Sequence, residues 1–361
     1  MKTLFSICVI CTLIPFAALA APDKPTPHVG SYMRFVQNDT DNFSLELAVR
    51  TFIPQDNKHS RVTLISAIHI GSKEYYTKLQ HILDSQKLLF FEGVGNHHKS
   101  RKKLSSLKTL KTNKKEEDGN ASPVLREEEN EEKDLYTFIA TASGLHTQTK
   151  CIKYDREHFK NADMSMSQMR EILHSERKLG GKRAREATEA LALLKEFETA
   201  LSGSGGLSMF FVRGMLYTMK DNPALRTLFL FNLATADDEQ RPPAFLSGMT
   251  RLWHLILHDR NKVAMTFLKK ELDSESPAQE IGIFYGAAHM RGMEEILVHE
   301  MNYKLVETKW LTAYQLHPKR SGLNDIQCEI FNTHAKKQRE KQMPSPSTKK
   351  HSPIPQKKVI P

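Results

Sequence analysis

Cysteine is scarce: of four in 361 residues, Cys8 and Cys11 lie in the apolar run that opens the chain. Only Cys151 and Cys328 remain beyond it, which allows one disulfide or two buried thiols and excludes a disulfide scaffold. The chain also lacks the short motifs of several enzyme classes. It has no G-x-S-x-G nucleophile elbow, and "SGSGGLS" at 202–208 follows no strand, so it reads as an interhelical loop. There is no Walker loop and no G-x-G-x-x-G, since "FEGVGNH" at 91–97 lacks the third glycine. His254 and His258 share a helix face, but "HLILH" stands where a zincin needs H-E-x-x-H, so the pair reads as an amphipathic helix face. No repeat of fixed period is present.

What is there begins with Lys2, the apolar stretch "LFSICVICTLIPFAA", and the small residues Ala18 and Ala20. This is the pattern of a secretory signal cleaved after Ala20, which places the mature chain in the periplasm or outside the cell. Residues 21–30 read as a linker, and 31–334 as one α/β domain. The net charge of +10 is concentrated in 335–361, where eight lysines and arginines face Glu340 alone in a Pro- and Ser-rich stretch. Such a stretch reads as a disordered basic tail. With the rest of the chain near neutral, nucleic acid is not an expected partner. The tail suits weak contact with an anionic membrane surface, or serves solubility alone.

The apolar pattern predicts an α/β fold: a mixed, mainly parallel central sheet with flanking helices, an N-terminal β-hairpin and an inserted helical subdomain. The hairpin strands are 31–37 and 43–53, at a sheet edge. Strand 61–71, a helix from Ser72 and strand 87–95 form a parallel crossover unit. Residues 97–134, a basic block followed by an acidic one, read as a charged, disordered insertion. A third strand is predicted at 149–156, helices over about 166–272, and further strands at 280–290 and 303–316 around a crossover helix.

On this map the ionisable residues share one location. His69, Glu92, Asp155 and His289 each end a predicted strand, and ligands of open α/β sheets bind outside the carboxyl ends of the strands. Two imidazoles and a carboxylate are a usual ligand set for a catalytic divalent metal that keeps a position open for water. That assigns His69, His289 and Glu92 to the metal, with Glu92 or Asp155 available to take a proton from the attacking water. Arg260 is placed to hold a substrate carboxylate or a developing oxyanion, and Asn261 to orient it.

Four segments, "TLISAIHIGSKEYYTKLQHIL", "LLFFEGV", "HDRNKVAM" and "IGIFYGAAHMRGMEEIL", resemble in order and spacing the signature segments of the TraB/PrgY/GumN family, which includes the Tiki proteins. The resemblance covers most of 43–316 apart from the insertion. It implies a fold related to erythromycin esterase and ChaN-like proteins. For the Tiki branch it implies metal-dependent peptide cleavage, carried here by His69, Glu92 and His289, with Arg260 at the family's basic position in the late helix. One departure stands out: Ser66 in "SAIH" replaces the glycine of a GxxH segment, whereas "GAAH" at 286–289 keeps it. The expectation is an exported metal-dependent hydrolase acting on a peptide or small envelope-derived ligand. The alternative is a non-catalytic protein that sequesters such a ligand in the same crevice. The sequence leaves the oligomeric state open.

Overall fold

The computed structural model describes residues 30–55, 60–93, 135–201, 214, 216–235 and 247–342. The expected signal, nearly all of the linker, the insertion, the loop 202–208 and residues 343–361 lie outside them.

Seven strands form the main sheet. The hairpin is β1 (Met33–Asp39) and β2 (Asn42–Pro54), paired from Met33 opposite Leu47 to Asp39 opposite Asn42. Strand β2 is not at an edge. One side bonds along its length to β9 (Tyr303–Leu316), and the other is divided between β1 in its first half and β3 (Arg61–Ala67) in its second. From β3 the sheet continues through β8 (Glu280–Gly286) and β5 (Leu88–Phe91) to β7 (Phe159–Asn161), all parallel. The α/β architecture is as expected, with pairings divided evenly: three parallel and three antiparallel. Strands β3 and β5 are parallel but not adjacent, because β8 lies between them. Its sequence "IGIFY" is buried throughout, as a strand with neighbours on both sides and helices on the faces requires.

Strand β3 ends at Ala67, four residues before the predicted end. Ile70–Gly71 form a separate short strand, β4, antiparallel to β6 (His146–Thr147). Helix α1 (Lys73–Ser85) starts at Ser72, whose hydroxyl accepts from the Tyr75 amide at 3.1 Å, the N-cap read from the sequence. Helices α2 (Leu135–Ser143) and α3 (Gln148–Cys151) follow. The predicted strand 149–156 is therefore a helical turn and a loop, and the strand that joins the sheet is β7, only three residues long.

Helices α4 (Met166–Arg177), α5 (Gly181–Leu201), α6 (Pro223–Thr235) and α7 (Ser247–His254) make up the helical portion. A core of its own, with Met169, Leu173, Ala187, Ala190, Leu194, Leu252 and Leu255, ties α4, α5 and α7 together. After a π-helical turn at Leu255–Asp259 come α8 (Arg260–Leu272) and α9 (Ala287–His299), both packed on the sheet layer.

The last helix, α10 (Asp325–Gln342), corrects the expected tail boundary, because residues 335–342 continue the helix. They do so because this face of α10 is apolar and docked on β1. Phe331 stacks on Phe231 at 4.0 Å between ring centroids, Ala335 is buried, and Gln338 accepts from the Phe35 amide at 2.9 Å. Cys151 and Cys328 are free thiols. No helix among the described residues is long and apolar enough to cross a membrane.

Candidate functional site

At the carboxyl ends of β5 and β8 a buried polar network is built around one arginine. Glu92 is the first residue after β5, and its amide donates to the Phe284 carbonyl at 2.9 Å, which fixes the turn out of the sheet. Its Oε2 accepts from the Gly286 amide at 2.7 Å and its Oε1 from Arg260 Nη2 at 2.6 Å. Gly286 ends β8, and a Cβ there would meet Glu92 Oε2 at 3.4 Å, an ordinary van der Waals contact.

Arg260 opens α8 with only 5% of its side chain exposed. Its Nε donates to Asp163 Oδ1 at 2.8 Å and its Nη2 to Asp163 Oδ2 at 2.7 Å, a two-pronged ion pair that matches guanidinium to carboxylate. Asp163 is two residues past β7, and its Oδ2 also accepts from the Gly93 amide at 3.0 Å. It therefore fastens the ends of β5 and β7 to α8. The π-helical turn sets the geometry on the other side. Arg260 and Asn261, neighbours in sequence, are both buried, while Asp259 faces Arg251 at 3.1 Å and His254 at 3.5 Å.

His289 lies in the first turn of α9, not at a strand end as the sequence suggested, because the helix starts directly after Gly286. Asn261 Nδ2 donates to the His289 carbonyl at 3.0 Å, which turns Oδ1 toward the ring. His289 Nδ1, 2.7 Å from that oxygen, must then carry the proton, leaving the lone pair on Nε2. Nε2 lies 3.5 Å from Arg260 Nη1 and 3.6 Å from Glu92 Oε1. Gly292, one turn on in α9, makes the Asn261 contact possible, since a Cβ there would come within 2.7 Å of Asn261 Nδ2.

Protonation follows from these contacts. Burial pushes the Glu92 carboxyl up, but His289, Arg260, His69 and the Gly286 amide outweigh it and hold the group down at about 2. Burial lowers His289 to about 4; Glu92 opposes this and Arg260 reinforces it. At neutral pH the site thus holds an ionised Glu92 and a neutral His289. Tyr285, whose hydroxyl donates to the Ala162 carbonyl at 2.8 Å, is pushed upward by burial and by the two carboxylates, and packs edge-on against His289.

His69 lies in the bend between β3 and β4. It is exposed, with its ring 4.5 Å from that of Tyr136 and its carbonyl accepting from the Gln148 amide at 2.8 Å. It is near enough to favour the ionised form of Glu92 and to disfavour a charge on His289.

The structure thus brings Glu92, Arg260, Asn261 and His289 together, and His69 acts on Glu92 and His289 through its charge. Asp155 is elsewhere, exposed in the loop before β7. The carboxylate that completes the cluster is Asp163, which the sequence reading passed over because its strand is three residues long with one apolar residue facing in, Phe159. Ser66 is not part of the site. It is fully buried in β3, and its hydroxyl donates to the Ala48 carbonyl at 2.5 Å. His254, the last residue of α7, and His258, in the π-helical turn, have their rings 4.7 Å apart.

Two of the expected metal ligands, Glu92 and His289, are engaged with Arg260 as arranged. A bound divalent ion needs at least three donors pointing at one place. Each Glu92 oxygen accepts one hydrogen bond, and the Arg260 guanidinium reaches both Glu92 Oε1, at 2.6 Å, and His289 Nε2, at 3.5 Å. Among the described residues no group of three His, Cys, Asp or Glu side chains is disposed to hold a metal ion. Comparison with known protein families, curated proteins and solved structures gives no match.

Proposed function

We propose that this chain is a hydrolase of the TraB/PrgY/GumN kind, acting on a peptide or small envelope-derived ligand at the site of His69 and Glu92. The observation that carries the reading is that an ionised carboxylate, held by a buried arginine and a backbone amide at the carboxyl ends of parallel strands, lies within electrostatic reach of an exposed imidazole, His69.

In this reading His69 takes the proton of a water as its oxygen attacks the substrate carbonyl carbon. Glu92 stabilises the imidazolium that forms, and His69 then returns the proton to the departing amine. Arg260 acts through Glu92 and not on substrate, because it is buried and already bonded to two carboxylates. Asp163 holds Arg260, and Asn261 holds His289.

The test is incubation of the purified protein with a mixed peptide library, followed by mass spectrometry, with chelator and with added divalent metal in parallel. Cleavage is expected, and His69→Ala and Glu92→Gln should each reduce it about 10²-fold or more. Turnover unaffected by His69→Ala overturns the assignment. Cleavage that persists in chelator supports the metal-free step. Cleavage that needs added metal shows that the His69, Glu92 and His289 set rearranges around an ion.

A second reading, sequestration without chemistry, is favoured by one observation: within the network the polar groups are largely occupied by one another. Peptides retained intact would support it. Export, the expected setting of either function, predicts a secreted form whose first residue by N-terminal sequencing is Ala21.

A further inference from the structure

We infer that the outer edge of β9 pairs antiparallel with the same edge of a second copy of this chain, centred on Thr308.

Strand β9 runs for 14 residues and bonds to β2 on one side only. Among the described residues its other edge has no strand partner, and only the Ala313 carbonyl is taken, by the Ser72 amide at 2.8 Å. Residues 304–309 are exposed on both faces of the strand, so this stretch projects beyond the helices that cover the rest of the sheet. Leu305 and Val306 are 44% and 49% exposed, adjacent apolar side chains on a bare edge. Such an edge is a template for another strand unless something opposes pairing.

The charges on this edge decide which strand fits. Backbone groups alternate between the two edges of a strand, so outward-facing residues of one copy must meet outward-facing residues of the other, and a two-fold centre falls on a residue. From Glu307 to Thr312 the pairing of β9 with β2 is regular, so the alternation holds there. A centre on Glu307 sets glutamate against glutamate, and a centre on Lys309 sets lysine against lysine. A centre on Thr308 sets Glu307 of each copy against Lys309 of the other. It also points the Leu305 and Val306 end of each copy, where β9 bulges at Val306, toward the Leu311 and Trp310 end of the other. Glu307 and Lys309 already pair within one chain at 3.2 Å, so the dimer closes a square of four alternating charges. Lysines that discourage an arbitrary strand thereby select this one. A single strand edge is a small interface, and the dimer should exchange with monomer as concentration changes.

The experiment is sedimentation velocity of the full chain over a concentration series. The wild type should shift from 41.3 kDa toward twice that mass. Glu307→Lys and Lys309→Glu should each weaken association about tenfold or more, because each places like charges opposite one another twice. The double swap E307K/K309E should restore it. An equimolar mixture of the two single variants should also associate, since lysines on one chain then face glutamates on the other. Circular dichroism melts of each single variant, expected to match the wild type, separate lost pairing from lost folding. A wild type that stays monomeric throughout overturns the inference. So does a dimer that the single variants leave unchanged, or a mixture that fails to associate.

Discussion

At the residue scale, acid should act on this protein through two groups in sequence. His289 has a folded-state value of about 4, below that of a free imidazole, so the unfolded chain binds its proton first as pH falls. Its contribution to stability is full above about pH 6.5 and is lost between there and about 4. Glu92 is held at about 2, below a free carboxyl, so its contribution is full above about pH 4.5 and is lost as pH approaches 2. Thermal melts should therefore decline in two stages. His289→Gln should flatten the upper stage and Glu92→Gln the lower, each changing stability across its window by on the order of 3 kcal/mol. Asp163 and Asp155 make a sharper comparison. Asp163→Asn removes one carboxylate of a buried ion pair and should cost about 3–5 kcal/mol in urea unfolding. Asp155→Asn, on an exposed loop, should fall within about 0.5 kcal/mol. That pair also shows how far the site was legible. His69, Glu92, Arg260, Asn261 and His289 could be picked out because each follows an apolar run or sits at a helix boundary. Asp163 could not, because β7 is too short to leave an alternating pattern, while "TKCIKYDR" imitates one although its first residues form a helical turn.

At the scale of elements, the glycines and small residues of the motif segments serve contacts between strands and helices. Ser66 joins β3 to β2 through its hydrogen bond to Ala48. Ser66→Ala should cost about 1 kcal/mol in thermal unfolding and leave any peptide turnover unchanged, since nothing in the polar network touches it. Gly292 is different, because it marks where α9 meets α8. Gly292→Ala forces a methyl against Asn261, and should lower stability by about 1–3 kcal/mol while loosening the hydrogen bond that sets the His289 tautomer. Nitrogen chemical shifts of the His289 ring would report that loosening directly. Element type followed the apolar period closely in the sheet centre and the long helices. It failed where tertiary contacts decide: at the π-helical turn, which carries no sequence signature, and at 68–71, where β3 hands over to a strand paired elsewhere.

For the whole molecule, the C-terminal helix is the simplest element to test. Removal from 325 onward uncovers the Phe35, Phe43 and Phe231 cluster that Phe331 closes, and should lower the melting temperature by several degrees or abolish folding. The basic charge of the last residues had suggested a tail beginning at 335, because lysines and arginines mask the helical face of Phe331, Ala335 and Gln338 that docks on β1.

The arrangement of β2 carries a consequence for how the chain is made. This strand, complete by residue 54, waits for residues 303–316 before one whole side of it is satisfied. A ribosome must therefore deliver nearly nine-tenths of the chain before the sheet can close, and until then the most apolar strand near the N-terminus is held open. Synthesis and folding are thus separated in time by the position of one strand in the sequence. A chain built this way stays threadable until residues 303–316 emerge, and depends meanwhile on whatever shields that strand from its neighbours.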